Sequence, residues 1–237
     1  MELTPRDEHV RPAARSNGRL AGWLIFVGTL TLLNYSGRYL GDARPPSDFV
    51  YLYSTAVATV IQFGLMLGIV LLIARRAPTR ELLGLRRPRS WGVALGLGLG
   101  LLVAVYVFIG AAGRLLDPGD EQGLVPTFWD PDRLPQFALN VALIAIFVPI
   151  VEEVMFRGLG WSLLARFGDW PATAITALLF ALGHGLVRAL PIFVAFGLGL
   201  GWLRSRTRSV YPPIVVHGVF NAIALIAAVA LAGRGTG

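Results

Sequence analysis

Residues 136–157 read QFALNVALIAIFVPIVEEVMFR, an apolar run that ends in two adjacent glutamates and an arginine. A helix needs about 20 mostly apolar residues to cross the hydrocarbon core of a bilayer. Similar runs recur along the chain, which predicts an all-α polytopic transmembrane helical bundle of about seven spans, with six to eight possible. The predicted spans are 20–40, 50–74, 91–114, 136–156, 171–187, 190–204 and 211–232.

The composition supports an integral membrane protein. Of the 237 residues 55% are hydrophobic and only 15% are charged, whereas a soluble domain has about 25% charged residues. The chain has no cysteine, which excludes disulfides and cysteine-ligated metal sites. The formal charge of +7 comes from arginines in short clusters between apolar runs. This placement follows the positive-inside rule and predicts a cytoplasmic N-terminus, not nucleic-acid binding.

Ionisable groups inside the apolar runs are concentrated after residue 150. Each costs about 2.5–3.5 kcal/mol at the centre of a membrane helix on insertion scales, so each suggests function. Apart from Arg114 at the end of the third, the first three predicted spans hold only Asn34, Arg38 and Gln62 as amide or charged side chains. The later polar groups form three motifs, Glu152-Glu153-x-x-x-Arg157, Phe180-x-x-x-His184 and His217-x-x-x-Asn221.

Helical geometry separates the two glutamates. Neighbouring residues project about 100° apart, so Glu152 and Glu153 cannot face the same point. Glu153 and Arg157 are one turn apart in the order that favours an ion pair. That pairing leaves Glu152 to face elsewhere as a candidate general base. Pro149 cannot donate to the carbonyl of Ala145, and a local kink there would open room for water.

The ordered set EE-x-x-x-R, F-x-x-x-H and H-x-x-x-N on hydrophobic helices resembles the CPBP family. This family contains the type II CAAX prenyl endopeptidases and bacterial, Abi-like proteins linked to bacteriocin processing and self-immunity. The resemblance implies an intramembrane endopeptidase that uses a glutamate-activated water. It implies that Glu152 is the base, that His184 holds and polarises the water, that His217 and Asn221 stabilise the oxyanion, and that Glu153 and Arg157 hold the site in shape.

Two mechanisms remain open on these residues. The favoured one uses no cofactor, whereas in the other Glu152, His184 and His217 bind zinc and leave an open position for water. The chain has no H-E-x-x-H motif, the usual arrangement of a zinc protease. The alternative function is a non-catalytic membrane scaffold or bacteriocin-immunity protein that binds a peptide in the same cavity. A transporter is the third reading, but no inverted repeat is visible.

The resemblance also divides the chain. We expect a flexible basic cytoplasmic tail at 1–19, N-terminal transmembrane helices and an outer acidic loop at 20–134, a CPBP-like core at 135–232 and a short tail at 233–237. The expected partners are the lipid bilayer and a peptide or membrane-protein substrate. The use of arginine for all basic residues hints at a GC-rich genome and hence a bacterial cell membrane. Oligomeric state and substrate stay open.

Small residues predict close helix packing within the bundle. Gly92, Gly96 and Gly100 recur every four residues, as do Gly197 and Gly201. In an apolar helix this spacing lets two backbones approach each other.

Overall fold

The computed structural model describes residues 5–40, 48–116, 126 and 128–232, and it confirms the predicted all-α class. Much of the predicted acidic loop, at 117–125 and 127, lies outside the described residues. The described residues form eight helices, α1 (Pro5–Tyr39), α2 (Tyr53–Ala74), α3 (Thr79–Leu82), α4 (Trp91–Leu116), α5 (Pro131–Phe167), α6 (Asp169–Gly183), α7 (Leu190–Thr207) and α8 (Tyr211–Ala232). Helix α1 therefore begins within the segment predicted to be a tail.

Five helices of the described chain, α1, α2, α4, α5 and α8, are long and apolar enough to cross a membrane. They correspond to five of the seven predicted spans. The other two predicted spans correspond to α6 and α7. Helix α6 has 15 residues and is about 22 Å long, which is shorter than the hydrocarbon core of about 30 Å. Helix α7 has 18 residues, and Arg204 and Arg206 lie in its last turn.

Helix α5 is irregular around Pro149, as the proline predicts. A π-helical turn, Leu143–Phe147, precedes it, and the N–H of Val148 donates to the carbonyl of Leu143. In this π register the next carbonyl, that of Ile144, would accept from residue 149, which is proline and has no N–H. The carbonyl of Ile144 is therefore left for a side chain to bind. A second π turn, Val154–Gly160, follows the two glutamates.

Helices α6 and α7 pack closely through the predicted glycine pair. A Cβ added at Gly197 would lie 3.0 Å from the Cα of Ala177, and one at Gly201 would lie 2.8 Å from the Cγ2 of Thr173. The close-packing prediction is therefore confirmed for this pair. It is wrong for Gly96 and Gly100 of α4, because a Cβ there would have no described atom within 4 Å.

Helix α1 is tied to α5 by Trp23. This side chain is fully buried, and its Nε1 donates to the carbonyl of Met155, 3.0 Å away. Its ring lies against Gly160 and meets the ring of Phe156 edge to face. The α5 turn that follows the glutamates is thereby packed against the first helix of the chain.

We expect Gly197→Ala to lower the free energy of unfolding by about 1–3 kcal/mol, the usual cost of overpacking a core. The reason is that the new methyl group would meet the backbone of Ala177. Gly100→Ala is the matched control, because the same methyl group there enters open space and favours the helix. Thermal unfolding in detergent should rank Gly197→Ala well below the control. Equal melting temperatures would contradict the packing.

Candidate active site

The Glu153–Arg157 pair lies at the centre of the bundle. The Nη1 of Arg157 donates to the Oε1 of Glu153, 2.9 Å away, and both side chains are fully buried. The Nη2 of Arg157 donates to the carbonyl of Gly197, 2.8 Å away, and the guanidinium stacks 4.5 Å above the ring of Phe180. The predicted ion pair is therefore present, and it also contacts α6 and α7.

His217 of α8 links this pair to Glu152. Its Nδ1 lies 2.9 Å from the Oε1 of Glu153, and its Nε2 lies 3.6 Å from the Oε2 of Glu152. Since Glu153 is paired with Arg157, its carboxylate accepts, and the Nδ1 of His217 must carry the proton. In the neutral ring, the Nε2 then presents a lone pair towards Glu152.

The two glutamates face different surroundings, as their 100° separation predicts. The side chain of Glu153 has no exposed surface, whereas that of Glu152 retains 13% exposure and lines a cavity of about 750 Å³. The same cavity is lined by His184, His217 and Asn221, but not by Glu153 or Arg157. Of the six predicted site residues, four therefore line the cavity and two lie behind its wall.

His184 follows the last residue of α6 and caps that helix. Its Nδ1 lies 2.7 Å from the carbonyl of Phe180, one turn earlier. A carbonyl only accepts, so the Nδ1 carries the proton and the Nε2 of the neutral ring is an acceptor. The rings of Phe180 and Phe193 hold the imidazole from two sides, with centroids 4.6 Å and 4.1 Å away.

Asn221 lies one turn after His217 on α8. Its Nδ2 donates to the carbonyl of Ile144, 3.0 Å away, which is the carbonyl that Pro149 leaves without a backbone donor. One N–H of the amide is occupied in this way, and a second N–H remains on the same nitrogen. The π turn of α5 thus fixes the position of Asn221.

Three residues near the site were not predicted to belong to it. Asn34 of α1 lines the cavity, and its Nδ2 donates to the carbonyl of Gly183, the residue before His184. Arg38 and Gln62, on α1 and α2, also line the cavity. These are the amide and charged side chains of the first two predicted spans, so their presence in apolar helices was the signal that should have assigned them.

The predicted zinc ligands do not fit a metal site in this arrangement. Among the residues that the structure describes, no group of three or more His, Cys, Asp or Glu side chains could hold a metal ion. Glu152 and His217 approach each other at 3.6 Å, and His184 does not form a three-ligand group with them. No chemical step is therefore assigned to a metal.

Residues 134–223 match the family model "Type II CAAX prenyl endopeptidase Rce1-like", and this range contains all six predicted site residues. The chain is also similar to two curated bacterial proteins over 86% of its length. "Putative membrane peptidase YdiL" of Bacillus subtilis (strain 168) is 26% identical over 215 residues, which cover 82% of that protein. "Membrane-embedded CAAX protease MroQ" of Staphylococcus aureus (strain USA300) is 24% identical over 217 residues, which cover 81% of that protein. No solved structure matches the chain significantly.

Replacing Arg157 with leucine should lower the free energy of unfolding by about 3–5 kcal/mol, the cost of leaving a buried charge without its partner. Glu153 would then be a buried carboxylate whose remaining described partner is the ring N–H of His217. Arg206→Leu is the control, since Arg206 is an exposed arginine of α7. The measurement is thermal or denaturant unfolding in detergent micelles. A similar stability for the two variants would show that the buried pair does not hold the bundle together.

Proposed function

Since the chain belongs, through residues 134–223, to the Rce1-like type II CAAX prenyl endopeptidase family of membrane proteases, we propose that it is an intramembrane endopeptidase. Its substrate is a peptide bond of a membrane-associated protein or peptide, and its nucleophile is a water activated by Glu152. One observation carries this proposal: the Oε2 of Glu152 and the Nε2 of His217 face each other at 3.6 Å in the wall of a large cavity.

Glu152 is suited to the role of general base. Its carboxylate lies at the cavity wall, whereas Arg157, the cation one turn away, is bound to Glu153. A separation of 3.6 Å between two acceptors leaves a position from which one water reaches both at ordinary hydrogen-bond distance. In that position the water can give a proton to Glu152 as it attacks the peptide carbonyl.

His217 is oriented by the residues behind it. Arg157 donates to Glu153, Glu153 accepts from the Nδ1–H of His217, and the Nε2 is thereby aimed at the water and Glu152. This is the logic of a histidine positioned by a buried carboxylate. The Nε2 can take the proton that Glu152 has accepted from the water, 3.6 Å away, and then donate to the oxyanion. Glu153 and Arg157 are thus positioning residues.

Asn221 and His184 complete the proposed site from opposite sides. The N–H of Asn221 that does not bind Ile144 can donate to the oxyanion, a contact that is typically worth about 3–4 kcal/mol in the transition state. The Nε2 of His184 is an acceptor, so it can take a hydrogen bond from the attacking water or from a substrate N–H. Hydrogen bonds to backbone carbonyls hold both side chains before substrate arrives.

The apolar character of the cavity supports a membrane-embedded substrate. Besides its polar groups, the wall is made of apolar and aromatic side chains from α1, α2, α4, α5, α6, α7 and α8. We propose that the substrate enters from the bilayer, that the N-terminus is cytoplasmic and that residues 135–232 form the catalytic core. The bacterial source of both relatives supports a bacterial cell membrane as the location.

Glu152→Gln should reduce the cleavage rate by about 10²–10⁴-fold, the usual effect of removing a general base. Glutamine has almost the same size, so membrane insertion and thermal stability should be kept. The assay is the purified protein in liposomes with a mixture of apolar peptides, in which new peptide termini are identified by mass spectrometry. Glu81→Gln is the matched control, because Glu81 is exposed on α3.

A variant with glutamine at position 152 that cleaves at the wild-type rate would exclude Glu152 as the base. The alternative function, a non-catalytic scaffold or immunity protein, predicts a different result. In that case both the wild type and Glu152→Gln retain the peptides, and neither produces new termini.

Treatment with a chelator should leave the cleavage rate of the wild type unchanged, because the described residues hold no three-ligand group for a metal. The test compares the same liposome assay before and after incubation with excess chelator, with metal analysis of the purified protein. Loss of activity in the chelator, followed by recovery on addition of zinc, would favour the zinc mechanism instead.

A further inference from the structure

A second cavity, of about 570 Å³, lies at the N-terminal end of α8. Three arginines line it, Arg80, Arg86 and Arg87, all of them exposed. The positive-inside rule explains why arginines lie in this connection between α2 and α4. It does not explain why three of them surround one cavity.

This cavity is a built structure and not an open stretch of loop. The N–H of Val210, before α8, donates to the carbonyl of Gly84, 3.0 Å away. The Nε of Arg86 donates to the carbonyl of Arg208 in the turn between α7 and α8. Gly84 has a φ of +66° and packs against the guanidinium of Arg204, so a residue with a side chain would not fit there. Two chain segments are thereby held together around the arginines.

The electrostatics of this cavity favour an anion. Its described lining contains three guanidinium groups and no carboxylate. Two long helices, α4 and α8, begin at the cavity with Trp91 and Tyr211, and helix N-termini add partial positive charge. Guanidinium groups bind phosphate oxygens in pairs, which makes arginine well suited to a phosphate group.

The cavity also lies at the level expected for the interface between bilayer and water, where lipid headgroups are found. The candidate membrane spans of α4 and α8 begin at Trp91 and Tyr211, and aromatic residues of this kind mark the interface between bilayer and water. Ile214 and Val215, one turn into α8, line the apolar side of the cavity, and Val215 is 41% exposed. A ligand with a phosphate at the arginines and an acyl chain along α8 would match both parts.

We propose that this cavity binds the headgroup of an anionic phospholipid. Arg80, Arg86 and Arg87 bind the phosphate, Trp91 and Tyr211 border the headgroup, and Ile214 and Val215 contact the first part of an acyl chain. Basic pockets beside membrane helices are suited to such headgroups. The proposal does not depend on the proteolytic function, because none of these residues lines the cavity of Glu152.

The test is binding of short-chain phosphatidylglycerol to the full-length protein in neutral detergent, measured by native mass spectrometry and by the rise in melting temperature. Short-chain phosphatidylcholine and inorganic phosphate are the parallel ligands. We expect saturable binding of phosphatidylglycerol and no saturable binding of the other two. Inorganic phosphate that binds as tightly would mean a site for free phosphate, and equal binding of phosphatidylcholine would mean no headgroup selectivity. Either result overturns the proposal.

The double variant Arg80→Gln/Arg87→Gln should weaken phosphatidylglycerol binding by roughly 25-fold, since each arginine near an anionic lipid contributes about fivefold. The control is Arg75→Gln/Arg89→Gln, which removes the same charge from the same connection at two exposed arginines that do not line the cavity. We expect the control to bind nearly as the wild type does. An equal loss in both variants would show that only the overall charge matters.

Discussion

A buried ion pair governs the structure of this site. Glu153 and Arg157 lie where neither water nor lipid headgroups can solvate them, and desolvation of such a pair costs several kcal/mol per ion unless other groups compensate. The fold supplies those groups from three other elements: the carbonyl of Gly197 on α7, the ring of Phe180 on α6 and the Nδ1 of His217 on α8. The pair therefore determines how α6, α7 and α8 pack against α5.

The same interaction gives two adjacent glutamates different roles. Glu153 uses its charge to hold Arg157 and the proton of His217, so it is not available for chemistry. Glu152 projects about 100° away and reaches the cavity without a bound arginine. The ring of His217 lies between them, with one nitrogen on each carboxylate. The proposed base and its structural neighbour thus differ in which face of one helix they occupy.

The sequence predicts the parts of this site that depend on one helix. The ion pair of Glu153 with Arg157, two residues one turn apart, follows from helical periodicity alone. Contacts between helices do not, because periodicity does not specify which faces meet. The bond from His217 to Glu153 was therefore not predicted, and Gly96 and Gly100 of α4 were wrongly expected to pack. Hydropathy also did not predict that α6 ends at Gly183. The predicted span 171–187 is therefore a shorter helix and is not among the five candidate spans.

Helix α1 supports the site although it precedes the predicted core, which begins at residue 135. The residues that match the family model begin there, yet Asn34 of α1 binds the carbonyl of Gly183 and so holds the end of α6 that carries His184. Gly185, with a φ of +66°, packs directly on Asn34, where any side chain would be crowded. Trp23 anchors the same helix to the carbonyl of Met155, next to the glutamates. Because α1 holds the residue before His184 and the turn after the glutamates, the proposed core of residues 135–232 takes part of its geometry from α1.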